Sequence, residues 1–120
     1  MSAVIHLESD THAPGATLRG TVQLSPSRGN EGQRVELTVL WEARGSGGSD
    51  VGVIYYAVLC NGDREAASAT HAFEVTLPAL PLSYDGKVVT IGWHVRVRRL
   101  ALLGDDAVFD EPFSVAWSGT

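Results

Sequence analysis

Five apolar residues, Val89, Ile91, Trp93, Val95 and Val97, alternate without a break with Thr90, Gly92, His94, Arg96 and Arg98. This is the longest strand signal in the sequence, and no other stretch restricts the fold so strongly. Successive side chains of a strand point to opposite faces, so the run predicts a strand with one core face and one basic, partly wet face. A proline-marked corner from Leu77 to Pro81 and a turn at Ser83-Tyr84-Asp85-Gly86 lead into it.

The rest of the chain divides in the same way. Ala3 to Glu8 reads as a first strand, and Ala13-Pro14-Gly15 as a turn, because Pro sets φ and Gly permits a positive one. Ala16 to Leu24 alternates, with Leu18, Val22 and Leu24 on one face, and Ser25 to Gly32 reads as a polar loop. Gln33 to Ala43 turns Val35, Leu37, Val39 and Trp41 inward, with Leu40 out of phase. Arg44 to Asp50 holds Gly-Ser-Gly-Gly-Ser and reads as a flexible connection. Val51 to Cys60 is apolar on both faces: Val51, Val53, Tyr55, Ala57 and Leu59 oppose Ile54, Tyr56 and Val58. Either both faces of that strand are covered, or one is an interaction surface. Asn61-Gly62-Asp63 is a turn signal, Thr70 to Leu77 a strand, Leu100 to Asp105 a hairpin-like return, and Asp106 to Trp117 the last strand. Trp41, Trp93 and Trp117 are expected in the core.

About seven strands separated by turn signals predict an all-β, antiparallel β-sandwich, one domain over residues 1–120. No segment holds a helical period over three turns, and Pro78, Pro81 and Pro112 oppose helices. At 44% hydrophobic and 19% charged residues the composition is that of a folded domain, not of a disordered chain. A net charge of −5 argues against a general nucleic-acid binder. The single cysteine, Cys60, excludes an intrachain disulfide, and no apolar run approaches the length of a membrane span. A cytoplasmic setting is the expectation, with no cofactor and no integral membrane segment.

Three motifs together carry a family resemblance. Ala13-Pro14-Gly15-Ala16-Thr17-Leu18-Arg19-Gly20-Thr21-Val22 resembles a Pro-Gly turn feeding a "leucine, basic, glycine, x, valine" strand. Phe73-Glu74-Val75-Thr76-Leu77-Pro78 resembles a strand that ends in Leu-Pro. Leu80-Pro81-Leu82-Ser83-Tyr84-Asp85-Gly86, followed by Val89 to Val97, resembles a "proline, small, aromatic, acidic, glycine" turn before an "aromatic, x, valine, basic, valine" strand. The chain resembles the amino-terminal domain of arrestin-like proteins, in the single-domain form of bacterial type. That resemblance implies an immunoglobulin-like sandwich and a non-catalytic adaptor or scaffold role. The paired basic residues of phosphate-sensing arrestins have no counterpart in Val4-Ile5-His6-Leu7, so phosphoprotein sensing is not implied.

The candidate binding residues form two groups. Leu40, Ile54, Tyr56 and Val58 are expected to form an exposed apolar face beside an edge strand, open to a protein partner or to a second copy of the chain. His94, Arg96 and Arg98 lie about 7 Å apart on one face and, with Arg99, offer cations to an anion or an acidic partner. The alternative is that they pair across the sheet with acids such as Glu74 or Asp110. His6, Glu8, Asp10 and His12 span about 20 Å if extended, too far for one metal ion. Asp105, Asp106, Asp110 and Glu111 are better read as a hairpin tip and the polar side of a strand than as a calcium site. Cys60, in apolar surroundings, reads as a buried thiol rather than a nucleophile. No ordered catalytic triad is visible, so no enzyme is expected, and no metal or cofactor site.

Overall fold

The structure is a computed structural model that describes residues 2–25, 34–62, 64–100 and 106–117. The loop expected over Ser25 to Gly32, the end of the Asn61-Gly62-Asp63 turn, the Leu100 to Asp105 return and the last three residues lie wholly or partly outside them. The chain runs β1 (Ser2–Leu7), β2 (Thr11–His12), β3 (Thr17–Ser25), β4 (Arg34–Gly45), β5 (Gly48–Asn61), a one-turn helix α1 (Arg64–Ala67), β6 (Thr70–Thr76), β7 (Tyr84–Asp85), β8 (Val89–Leu100) and β9 (Ala107–Val115).

These strands form two sheets. One has three strands in the order β1-β3-β6. The other follows β2-β9-β8-β4-β5, with β7 alongside β8 where β9 does not reach. All pairings are antiparallel except β2 with β9. The core between the sheets takes Leu18, Val22 and Leu24 from β3, and Phe73 and Val75 from β6. From the other sheet come Val35, Leu37 and Val39 of β4, Trp93, Val95 and Val97 of β8, and Phe113 and Val115 of β9. Each such aliphatic side chain, fully buried, stabilises the fold by about 1.5–3 kcal/mol.

The alternation in β8 has its expected result: Trp93, Val95 and Val97 are buried and Arg98 is exposed. Trp93 is 1% exposed, and its Nε1–H donates to the Pro81 carbonyl at 2.9 Å. The proline-marked corner thus satisfies the polar atom of the core's largest side chain. Ser83 ties the same corner to β9: its N–H donates to the Val115 carbonyl at 2.8 Å, and its Oγ accepts from the Val115 N–H at 2.9 Å.

Four expectations need correction. The Gly-Ser-Gly-Gly-Ser connection is a tight hairpin, with Gly45 opposite Gly48 and Gly48 at φ 134°, a conformation that side-chain-bearing residues rarely adopt. The longest strand is β5, at 14 residues against 12 for β8. Trp117 is 71% exposed and leaves the core to Trp93, with Trp41 packed at its margin.

The fourth concerns the faces of β5. Val39 lies opposite Tyr55 but Leu40 opposite Val53, so Ile54 is an extra residue; Leu59 is a second one, between the Val35–Cys60 and Glu36–Val58 pairs. Each extra residue is a β-bulge, which resets the alternation. Ile54 therefore packs, partly buried, against the core beside Tyr55, and is not on the exposed face. Leu40 does lie on the outer face, but between Val53 and His94, and is only 2% exposed.

Candidate interaction surface

The outer face of the larger sheet is built from the residues that alternate away from the core. Register places Glu36, Thr38, Leu40 and Glu42 of β4 between Arg98, Arg96, His94 and Gly92 of β8 and Val58, Tyr56, Val53 and Val51 of β5. Two zones result, one ionic over β8 and β9 and one apolar over β5.

In the ionic zone, cations and carboxylates alternate across strands. Arg96 donates from Nε to Asp110 Oδ1 at 2.9 Å, and from Nη2 to Asp110 Oδ2 and Glu42 Oε1 at 3.3 Å each. Arg98 reaches Asp106 at 3.3 Å, and Arg44 reaches Glu42 at 2.9 Å. The hydrogen bond from Arg44 is the main cause that holds the Glu42 carboxyl below its usual range, with the charge of His94 once it is protonated, and those of Arg44 and Arg96, adding to it. The Asp110 carboxylate in turn holds the Arg96 guanidinium protonated. Burial pushes the His94 imidazole below 6.5, against the pull of Asp110 and Glu42, so the ring is neutral at pH 7. His94 Nε2 is buried and lies 3.6 Å from Glu42 Oε1 and 3.9 Å from Asp110 Oδ1, beyond hydrogen-bond reach of both.

A shallow notch of about 340 Å³ opens above Gly92, walled by Glu42, Arg44, His94, Arg96 and Asp110. Its two carboxylates balance its two guanidinium groups, so the notch presents no net positive field to an anion. The basic run thus pairs across the sheet, with Asp110 as anticipated; Glu74 instead meets Arg19 at 3.5 Å in the smaller sheet. Arg99 does not share this face. It lies opposite Val35 and Ala107, one residue out of phase with Arg98.

In the apolar zone, Val51, Val53, Tyr56 and Val58 are 57%, 58%, 49% and 42% exposed. The Tyr56 hydroxyl donates to Glu36 and accepts from Arg34 Nη2 at 2.9 Å, which fixes the ring over β4. That hydrogen bond is the main cause that holds the Glu36 carboxyl below its usual range. β5 ends the sheet order, and among the described residues no strand lies along its outer edge. Asp50 is the one charged residue of the strand, which has no proline. Of the devices that protect natural edge strands, this one carries a single charge, no proline, and the two bulges at Ile54 and Leu59.

Among the sequence-derived candidates, then, Tyr56 and Val58 lie on the apolar zone, His94, Arg96 and Arg98 on the ionic zone, and Leu40, Ile54 and Arg99 on neither exposed row. Val51 and Val53 join the apolar row in their place. The remaining candidates do not converge. His12 is drawn into β2, with Nε2 2.8 Å from the Ser9 carbonyl and its ring edge-on to Phe113 at 5.7 Å, away from His6 on the other sheet. Cys60 is 4% exposed. Among the described residues no group of three or more His, Cys, Asp or Glu side chains is placed to hold a metal ion, and no helix is long and apolar enough to cross a membrane.

No family model and no curated protein matches this sequence. Among solved structures it is similar to Spo0M, a sporulation control protein from Bacillus subtilis, with a TM-score of 0.63 over 94% of this chain at 16% sequence identity. The match covers 48% of the Spo0M chain, so this chain spans about half the length of that protein. The likeness establishes the fold: an all-β, arrestin-like sandwich.

Proposed function

We propose that this chain is a non-catalytic protein-interaction module, an adaptor or scaffold of the cytoplasm, that accepts its partner as an added strand along β5. One observation carries the reading: a row of four exposed apolar side chains, Val51, Val53, Tyr56 and Val58, on a strand with a single charge along whose outer edge no strand lies among the described residues. Strand addition satisfies backbone groups along the edge, and alternate side chains of the incoming strand meet the row. The ionic zone contributes a rim rather than a receptor, since its cations are already paired with carboxylates. The neighbour in fold is named as a control protein, which accords with a regulatory role.

The test is selection of random peptides displayed on phage against the purified chain. Enriched peptides are expected to bind the parent and to lose binding to Val53→Asp/Val58→Asp, and to protect β5 amides from hydrogen exchange. Enrichment of peptides that bind the variant equally well, or that protect other strands, overturns the reading, as does a selection that enriches nothing.

A further inference from the structure

The apolar row on β5 matches itself under a two-fold rotation, as any regularly alternating strand can, and the bulge at Ile54 selects the register. Outward residues are Val51 and Val53 before the bulge, and Tyr56 and Val58 after it. Inward ones are Asp50, Gly52 and Ile54, then Tyr55, Ala57 and Leu59. Both sets are symmetric about the midpoint between Ile54 and Tyr55. Facing residues in an antiparallel pair share a face of the sheet. A strand paired with its own copy across that midpoint therefore sets outward against outward and inward against inward, over all ten residues from Asp50 to Leu59. A shift by one residue, or by two in either direction, breaks this match at the centre, because it sets Ile54 or Tyr55 against an outward residue.

We propose that two copies of this chain pair antiparallel along β5, with Val53 opposite Tyr56 of the second copy and Val51 opposite its Val58, so that the two larger sheets become one. This rests on the reading of β5 as a docking edge and names its occupant. Near the two-fold axis Val53 of each copy faces Tyr56 of the other, so the valine meets the side of a ring whose hydroxyl Glu36 and Arg34 hold toward β4. The two Asp50 side chains end up about 30 Å apart, so the one charge on each edge does not oppose the other. Ten paired residues and four exposed apolar side chains per copy bury on the order of 1,000 Å² in total, at the lower limit for a specific interface. A contact of that size belongs with weak, reversible interfaces.

Sedimentation equilibrium of the full chain across the micromolar range tests this. The parent is expected to shift from monomer to dimer with concentration. Val53→Lys and Tyr56→Glu, each placing a charge in both central pairs, are expected to weaken dimerisation by at least about tenfold while circular dichroism stays unchanged. The double variant Val53→Lys/Tyr56→Glu sets Lys against Glu in both pairs and is expected to dimerise more tightly than either single variant. A dimer indifferent to these substitutions, or a double variant no better than the singles, overturns the pairing. A monomer at every concentration whose β5 still takes displayed peptides overturns self-pairing and leaves the docking edge standing; a monomer that takes none ends both.

Discussion

A methyl group added at residue 52 would meet the indole of Trp41 at 2.2 Å, so glycine there lets β5 pass beneath the ring. Gly52→Ala is expected to cost about 1–3 kcal/mol, read as a lower urea midpoint, since the ring or the strand must shift. Gly92, on the outer face of β8 with nothing within 4 Å of its added carbon, is the control, and Gly92→Ala is expected to leave the midpoint nearly unchanged. His94 makes stability depend on pH. Burial holds its folded pKa below the unfolded value of 6.5, so between those two values the unfolded chain binds more protons. The residue therefore imposes no penalty above pH 6.5 and an increasing one as pH falls below it. Glu42, whose folded pKa is depressed, adds stability above 4.5 that is lost at lower pH. Urea titrations in a pH series are expected to show stability falling below pH 6.5 in the parent, and the first part of that fall absent in His94→Gln. An unchanged slope in the variant would mean that another group titrates there.

The strands differ in how much their residues disclose. β8 was legible throughout because regular alternation and a regular ladder agree: Trp93, Val95 and Val97 face the core with no bulge between them. β5 was legible as a strand but not by face. Its alternation is broken by Ile54 and Leu59, and an all-apolar run offers no polar residue to reveal the change of phase. Unbroken alternation therefore puts Ile54 outside and Val53 inside, the reverse of their places. The adjacent Tyr55 and Tyr56, one on each face, were the local sign that both sides of this strand are apolar. Leu40 was correctly read as out of phase with the core, but its cover comes from neighbouring strands, which the residue's own spacing does not show. The Arg96–Asp110 pair was foreseeable because oppositely charged residues favour cross-strand positions; the role of Glu42 depends on a strand order that local sequence does not encode. The β4–β5 hairpin offers a test at this scale. Gly48→Ala is expected to destabilise the chain by about 1 kcal/mol or more, because φ there is 134°. Gly47→Ala, with open space at its added carbon and no positive φ, is expected to be neutral or slightly stabilising in thermal melts. Equal effects at the two positions would mean that the turn's backbone geometry is not the constraint.

In the assembled molecule, strands far apart along the chain are neighbours in space. Arg19 of β3 meets Glu74 of β6 from 55 residues away, and β4 pairs with β8 across the whole of β5 and β6. Such pairing requires closing long loops before contacts compensate, so refolding is expected in milliseconds to seconds, slower than for helical domains of this size. Stopped-flow fluorescence, followed through the burial of Trp93, measures it; a microsecond phase carrying the full amplitude would contradict this topology. One feature of the assembly sets how the chain responds to force. β1 belongs to the smaller sheet and β2 to the larger, with only residues 8–10 between them, while β9 belongs to the larger sheet alone. Tension applied at the amino-terminal end is borne in succession by both halves of the sandwich, first where β1 is laced to β3 and then where β2 is clasped to β9. Tension at the other end loads one sheet. The molecule is mechanically polar: one end is a seam holding two layers together, and the other is a hem on a single layer.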